Sequence, residues 1–263
     1  MEEAKGLLLT QGQFDILLVC MAIMALIVFI ALYFVDAGYG KMRSKSWGPA
    51  INNKIAWVLM ECPVFFVVLY FWLNGGERQM MVPYLLFFLF FEMHYFQRSF
   101  IFPCLLHGKS KMPIAIMFMG IVFNLINGYM QGEWLFFLSP DGYYDGWLSG
   151  WKFWLGVVIF IIGFCINLHS DYVIRHLRAP GDTNHYLPKK GMYRYVTSAN
   201  YFGEITEWIG FAIMTWSVAG AMFAIWTMAN LVPRANSIYL KYKEEFAEEF
   251  DETKLKRVFP KLY

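Results

Sequence analysis

The chain has 263 residues, of which 58% are hydrophobic, 20% aromatic and only 16% charged, with a mean hydropathy of +0.43. That balance excludes an ordinary soluble domain and points to an integral membrane protein. A formal net charge of +2 gives no reason to expect nucleic acid as a partner. The four cysteines, Cys20, Cys62, Cys104 and Cys165, stand singly in apolar stretches without the spacing of a disulfide framework or a zinc site. They read as small packing residues.

Taken in order, the first apolar run covers about 14–35 and is uncharged after Asp15, long enough to cross roughly 30 Å of hydrocarbon. Its acidic start, Met1-Glu2-Glu3, and long apolar core read as a retained span, not a signal peptide. A basic, glycine-containing loop follows, with Lys41, Arg43 and Lys45, which serves either as a topology signal or as a contact for an anionic ligand. The second span, about 55–73, carries Glu61 with Pro63 just beyond it. A carboxyl group at membrane depth needs a partner or a task.

The third span, about 82–105, carries Glu92, His94, Tyr95 and Arg98. Tyr95 and Arg98, three apart, share a helical face. A phenol fixed in this way suits proton donation to a carbonyl oxygen, or else the pair is an interfacial aromatic with a snorkelling arginine. The fourth span, about 113–134, lays Asn124, Asn127 and Gln131 along one face, a stripe that commonly makes interhelical hydrogen bonds. After a turn-rich loop at 139–146, nearly free of Lys and Arg, the fifth span starts at about 151 and runs to 168.

The run from Cys165 to Trp208 is the most chemically loaded part of the chain. Read as helix, Asn167, Asp171, Arg175 and Arg178 share one face, and Asn200, Glu204 and Glu207 share another. Two such faces can close on one ligand, or satisfy each other as interhelical hydrogen bonds. Pro180 and Gly181 stop the first helix, and Lys189-Lys190-Gly191 forms a basic turn. Residues 200–231 hold two short spans reversing near 217–220. Basic segments on both sides of that pair require an even number of crossings, which gives seven spans with the amino terminus outside and the carboxyl terminus cytoplasmic. The charged and aromatic tail from Lys241 onward reads as an amphipathic helix at the membrane surface. The expected fold is a single all-α polytopic domain over 1–263. No glycine-rich phosphate loop follows a strand and no paired-histidine metal motif occurs, so a nucleotide must be held by the helical scaffold.

Several of these segments carry recognisable words: Asn167-Leu168-His169-Ser170-Asp171-Tyr172, then Leu177, Arg178, Pro180 and Gly181, then Lys190-Gly191-Met192-Tyr193-Arg194-Tyr195-Val196, then Ala199-Asn200-Tyr201-Phe202-Gly203-Glu204 with Glu207-Trp208. With Gly38-Tyr39-Gly40-Lys41, Ala56-Trp57, Glu61, Pro63, His94-Tyr95-Phe96 and Arg98, the chain resembles the steroid 5α-reductases, the 3-oxo-5-alpha-steroid 4-dehydrogenases, over nearly its whole length. The resemblance implies a membrane enzyme that uses NADPH to reduce the 4,5 double bond of a 3-oxo-4-ene steroid. It implies Glu61 and Tyr95 as catalytic residues at the 3-oxo group, with Trp57 beside them in the substrate pocket. Arg98, Asn124, Asn167, Asp171, Arg178, Asn200, Glu204 and Tyr239 then match cofactor-binding positions. The substrate pocket falls mainly in 1–135 and the cofactor region mainly in 150–263.

Two departures bear on the fine cofactor contacts: Asn124 stands where animal members carry a smaller cysteine, and the run from Arg234 to Tyr239 is shorter than their histidine-rich one. The expected partners are a sterol-like lipid and the bilayer, with no metal and no nucleic acid, in a monomer of the bacterial inner membrane or the endoplasmic reticulum, cofactor side cytoplasmic. Rival readings are a reductase of another lipid enone or enoyl thioester, a methyltransferase on a related scaffold, and a sterol-binding membrane protein without turnover.

Overall fold

The computed structural model describes residues 8–35, 47–179, 182, 184–251 and 253–263. The basic loop with Lys41, Arg43 and Lys45, the Gly38-to-Lys41 motif, Pro180 and Gly181 lie outside the described residues. Seven long helices run in order among the described residues: α1 (Gln11–Ala31), α2 (Asn53–Leu73), α3 (Val82–Phe96), α4 (Ile114–Glu133), α5 (Trp151–Arg175), α6 (Ala199–Thr215) and α7 (Val218–Glu245), followed by a short α8 (Ala247–Asp251). Four of them are long and apolar enough to cross a membrane: α1, α2, α4 with its continuation to Leu138, and α5. The helices α3 and α6 are shorter, with 15 and 17 residues, and α7 is long but less apolar.

Helix boundaries follow local chemistry. Thr10 and Gln13 form a reciprocal capping box that starts α1 three residues before the expected position. Beyond Phe96 the chain of α3 continues through a π-turn, Gln97–Ile101, into Phe102–Leu105. Pro103 explains the wider turn: it has no N–H to offer the carbonyl of Ser99, and the ladder shifts so that Phe102 N–H bonds the carbonyl of Gln97. The reversal between α6 and α7 falls at Trp216 and Ser217, as the sequence suggests, with Trp216 in the left-handed region at φ 46°. Three successive carbonyls at this helix end are capped by the 139–147 loop: Trp147 Nε1 donates to Met214 O, Tyr144 Oη to Thr215 O and Tyr143 Oη to Trp216 O, at 2.8, 2.8 and 2.9 Å.

Two features depart from the all-α expectation and from the expected tail. A small antiparallel pair, β1 (Ala50–Asn52) with β2 (Lys111–Pro113), joins the segments that enter α2 and α4. These helices therefore start side by side and run together. The tail does not form a separate amphipathic helix from Lys241, because α7 continues unbroken to Glu245 before α8 begins. The cysteines also differ from expectation: Cys20, Cys104 and Cys165 are exposed on helix surfaces and do not fill the core.

The α5–α6 contact sets the geometry of everything around it. Gly156 and Gly163 on α5 face Gly210 and Gly203 on α6, and a Cβ at any of the four would come within 2.2 to 2.5 Å of the opposing backbone. Only glycine lets the two backbones approach this closely. The segment after α5 docks on the end of α7 and the tail: His185 bonds Glu245, Lys189 pairs with Glu249, and Leu187 packs with Phe250 and Leu255. Thr197 and Ser198 N–H groups donate to the carbonyls of Lys256 and Arg257, pinning the entry to α6.

Candidate active site

Three helices bring their ionisable residues to one buried cluster. Arg98, in the π-turn, bonds Asp171 of α5 through Nη1 at 2.7 Å and Glu204 of α6 through Nη2 at 2.9 Å. The side chains of Arg98 and Asp171 are each 7% exposed and that of Glu204 22%. One turn earlier on α3, His94 Nδ1 lies 2.8 Å from Glu207 Oε1, both buried. His94 with Arg98, and Glu207 with Glu204, thus make a double clamp between antiparallel helices. Across the glycine contact, Asn167 Nδ2 donates to the carbonyl of Asn200 at 3.0 Å, and Tyr193 Oη reaches Asn200 Oδ1 at 3.5 Å. The two polar faces read from the sequence do face one another.

A second group adjoins the first through Arg98, whose guanidinium lies over the rings of Trp57 and Phe102 at 5.6 and 4.9 Å. Glu61 projects from α2 toward α4, where Asn124 Nδ2 donates to its Oε2 at 3.1 Å and to the carbonyl of Met60 at 2.7 Å. Because α2 and α4 start together, these residues sit at similar depth, about 12 and 15 Å along their helices at 1.5 Å per residue. On the next turn of α4, Asn127 Nδ2 donates to Tyr95 Oη at 3.2 Å. Farther along, Gln131 Nε2 donates to Asn127 Oδ1 at 3.3 Å and to the carbonyl of Ala219 at 2.9 Å. The amide stripe is therefore an interhelical ladder, and two of its rungs hold the carboxyl of Glu61 and the phenol of Tyr95. A carboxyl group and a phenol fixed side by side in an apolar wall can polarise a carbonyl oxygen.

Of the residues singled out from the sequence, Trp57, Glu61, Tyr95, Arg98, Asn124, Asn167, Asp171, Asn200 and Glu204 fall in these two groups. Arg178 does not share the helical face of Asn167 and Asp171: α5 ends at Arg175, and Arg178 is exposed beyond it. Beyond the helix end, the carboxylate of Asp182 is held below its usual range by the N–H of Asn184, the hydroxyl of Tyr186 and the charge of Arg178. Tyr239 lies in the tail cluster, its ring edge-on to Phe250 and under the guanidinium of Arg257. Sequence reasoning missed the His94 partnership with Glu207. It also missed the four packing glycines, although their seven-residue spacings on two neighbouring segments were a usable signal.

Two cavities flank the bundle. The larger, 570 Å³, lies at the far end of α2 among Asn74, Arg78, Tyr84 and Asp141, away from the ionisable cluster. The smaller, 390 Å³, is an apolar groove between α2 and α4 lined by Pro63, Phe66, Val67, Tyr70, Leu125 and Tyr129. Its walls are apolar, and Glu61 and Asn124 are not among the residues that line it.

The family model for 3-oxo-5-alpha-steroid 4-dehydrogenase matches residues 110–263. A steroid 5-alpha-reductase DET2 of Gossypium hirsutum is 37% identical over 259 residues, spanning 96% of this chain and 98% of that protein. This chain belongs to the 3-oxo-5-alpha-steroid 4-dehydrogenase family. The animal relatives include a 3-oxo-5-alpha-steroid 4-dehydrogenase 1 of Bos taurus, 34% identical over 86% of this chain and 88% of its own, and one of Homo sapiens, 37% identical over 80% and 81%. The family match takes in α4 to α8, which include the Asn124, Asn167 and Asn200 positions, while the longer alignment to the cotton protein extends to Glu61 and Tyr95 in the amino-terminal half.

Proposed function

We propose that this chain reduces the 4,5 double bond of a 3-oxo-4-ene steroid to the 5α-3-oxosteroid, with NADPH as reductant, inside a seven-span membrane bundle. The observation that carries the reading is the paired holding of Glu61 and Tyr95 on adjacent turns of α4, beside the Arg98 cluster. The names of the relatives supply the substrate class. The sidedness proposed from the basic loops puts the Arg98 end of the bundle at the cytoplasm.

The residues around α5 and α6 fit a dinucleotide. Amides of Asn167 and Asn200 and carboxylates of Asp171 and Glu204 suit ribose hydroxyls and a carboxamide. The buried hydroxyls of Ser170 and Ser198, close in sequence to these amides, have no hydrogen-bond partner among the described residues. Arg98 is balanced by two acids, so the charge for a 2′-phosphate falls to Arg178 and the neighbouring basic residues, with Tyr239 at the margin. When bound, NADPH supplies the hydride.

The work of the chain's own residues is electrostatic. An enone accepts hydride at carbon 5 only as charge develops on its 3-oxo oxygen, and Tyr95 donates a hydrogen bond to that oxygen with Glu61 as its orienting neighbour. The ring then takes a proton at carbon 4. Trp57 walls the pocket beside Arg98, and the surrounding aromatic side chains keep water from the reacting atoms. The apolar groove between α2 and α4 supports the approach of a rigid lipid from the bilayer side.

The test is to give purified protein NADPH and a panel of 3-oxo-4-ene steroids, other lipid enones and enoyl thioesters. The proposal expects cofactor oxidation matched by 5α-3-oxosteroid. Turnover confined to a different enone, or binding without oxidation, would replace it.

A further inference from the structure

The amide ladder on α4 has a direction, and that direction ends on the Tyr95 hydroxyl. A backbone carbonyl can only accept, so the Gln131 atom 2.9 Å from Ala219 O is its nitrogen. The same nitrogen lies 3.3 Å from the nearest atom of the Asn127 side chain, which must then be the oxygen, Oδ1. Asn127 is left with its Nδ2 facing Tyr95 Oη at 3.2 Å, and an amide nitrogen donates only. Amide orientation is ordinarily an assignment from the surrounding network. Here the network is anchored on a main-chain atom that cannot be reversed.

From this we infer that Asn127 and Gln131 are positioning residues that force the Tyr95 oxygen to accept on the α4 side and so turn its proton toward the substrate carbonyl. The inference deepens the reading of Tyr95 as the carbonyl-polarising donor and rests on it. Both amides are fully buried, at 0% exposure, and Tyr95 is 3% exposed, so water does not compete to reset the chain. Gln131 takes its anchor from the first turn of α7, which makes α7 part of the device that sets the phenol. Without the ladder a phenol between two acceptors would divide its proton between them; with it, one of the two sides is closed to donation.

The experiment uses the full-length protein and reads the ultraviolet band of a bound 3-oxo-4-ene steroid without cofactor, since an enone absorbs to the red when its carbonyl accepts a hydrogen bond. Wild-type protein is expected to red-shift the band relative to the steroid in the same detergent, and Tyr95→Phe to abolish the shift. Asn127→Asp replaces the donor with an acceptor that draws the phenol proton to itself. It is expected to abolish the shift and to lower kcat at least tenfold, with KM and NADPH affinity within about threefold of wild type. In a Tyr95→Phe background the same substitution is expected to cost nothing further in kcat, whereas a merely structural residue would cost as much in both. Gln131→Met, which keeps volume and removes the anchor, serves as a second variant should Asn127→Asp fail to fold, and is expected to reduce both the shift and kcat at least threefold. A Tyr95-dependent shift that survives in the variants that fold overturns the ladder alone. A wild-type spectrum indistinguishable from that of Tyr95→Phe overturns both the donor role and the ladder.

Discussion

Replacing Arg98 with alanine tests whether the ionisable cluster is as dry and as mutually dependent as its geometry indicates. The guanidinium bonds Asp171 at 2.7 Å and Glu204 at 2.9 Å and lies over the rings of Trp57 and Phe102. Removing one partner of a buried pair leaves an uncompensated charge and costs about 3–5 kcal/mol. Most of that belongs to Asp171, at 7% exposure, because Glu204 at 22% keeps some access to solvent. For a chain of this size the loss corresponds to a fall in Tm of about 6–20 °C, at roughly 2–4 °C per kcal/mol. Thermal unfolding of the purified protein in detergent measures it. A triple variant, Arg98→Met with Asp171→Asn and Glu204→Gln, leaves no charge behind and is expected to recover most of the stability, yet to bind NADPH at least tenfold more weakly than wild type. An Arg98→Ala protein unfolding within about 1 °C of wild type, where the worked range is far larger, would refute the buried pairing. A triple variant with native cofactor affinity would refute the role of the cluster at the cofactor.

Other substitutions probe separate links of the account. Glu61→Gln and Tyr95→Phe are each expected to lower turnover at least tenfold, about 1.4 kcal/mol in barrier, while NADPH binding by fluorescence titration stays unchanged; full activity in both would remove the carbonyl-polarising role. Gly203→Ala places a methyl group 2.5 Å from the backbone nitrogen of Asn167 and is expected to destabilise by about 1–3 kcal/mol through forced separation of α5 and α6, which a melting curve would show; unaltered stability would contradict the close approach. Alanine at Asn167, Asp171 or Asn200 is expected to weaken NADPH and NADH alike, and Arg178→Ala to weaken NADPH selectively, as compared by paired titrations. Asp182 titrates below its usual range in the folded loop, so its hold on Asn184 and Tyr186 is complete above the ordinary carboxylate range and is lost as pH falls through that lower value; protease cutting within 182–198 should rise only in that acid window, and a rise already at neutral pH would contradict the turn.

The order of helices, and the existence of polar faces at Asn167 and at Asn200, could be read from hydropathy and from residues spaced three and four apart. Such patterns locate a residue along a helix and around it, but not which neighbour it meets. Hence His94 was visible as a histidine at depth, while its partner, Glu207, more than a hundred positions away, was not. Arg178 fitted the helical spacing but lies past the end of α5, since spacing carries no information about where hydrogen bonding stops. The π-turn that carries Arg98 was hidden for a related reason: its origin, a proline five residues later, changes the phase of the helix without changing its hydropathy. The β1–β2 pair, only three residues in each strand, lay below any periodic signal, yet it brings the starts of α2 and α4 together and with them Glu61 and Asn124. Family resemblance identified the residues of the second group, and the interhelical hydrogen bonds supply the physical reason they belong together.

The central claim is that hydride passes to carbon 5 of a steroid polarised at its 3-oxo group within this bundle. It is tested most directly by supplying the purified protein with NADPH deuterated at the transferred position and a 3-oxo-4-ene steroid, then locating the label by nuclear magnetic resonance. A single deuterium on the α face of carbon 5, with the carbon 4 proton drawn from solvent, is the result predicted here. Unlabelled product, label at carbon 4, or a 5β configuration would contradict it.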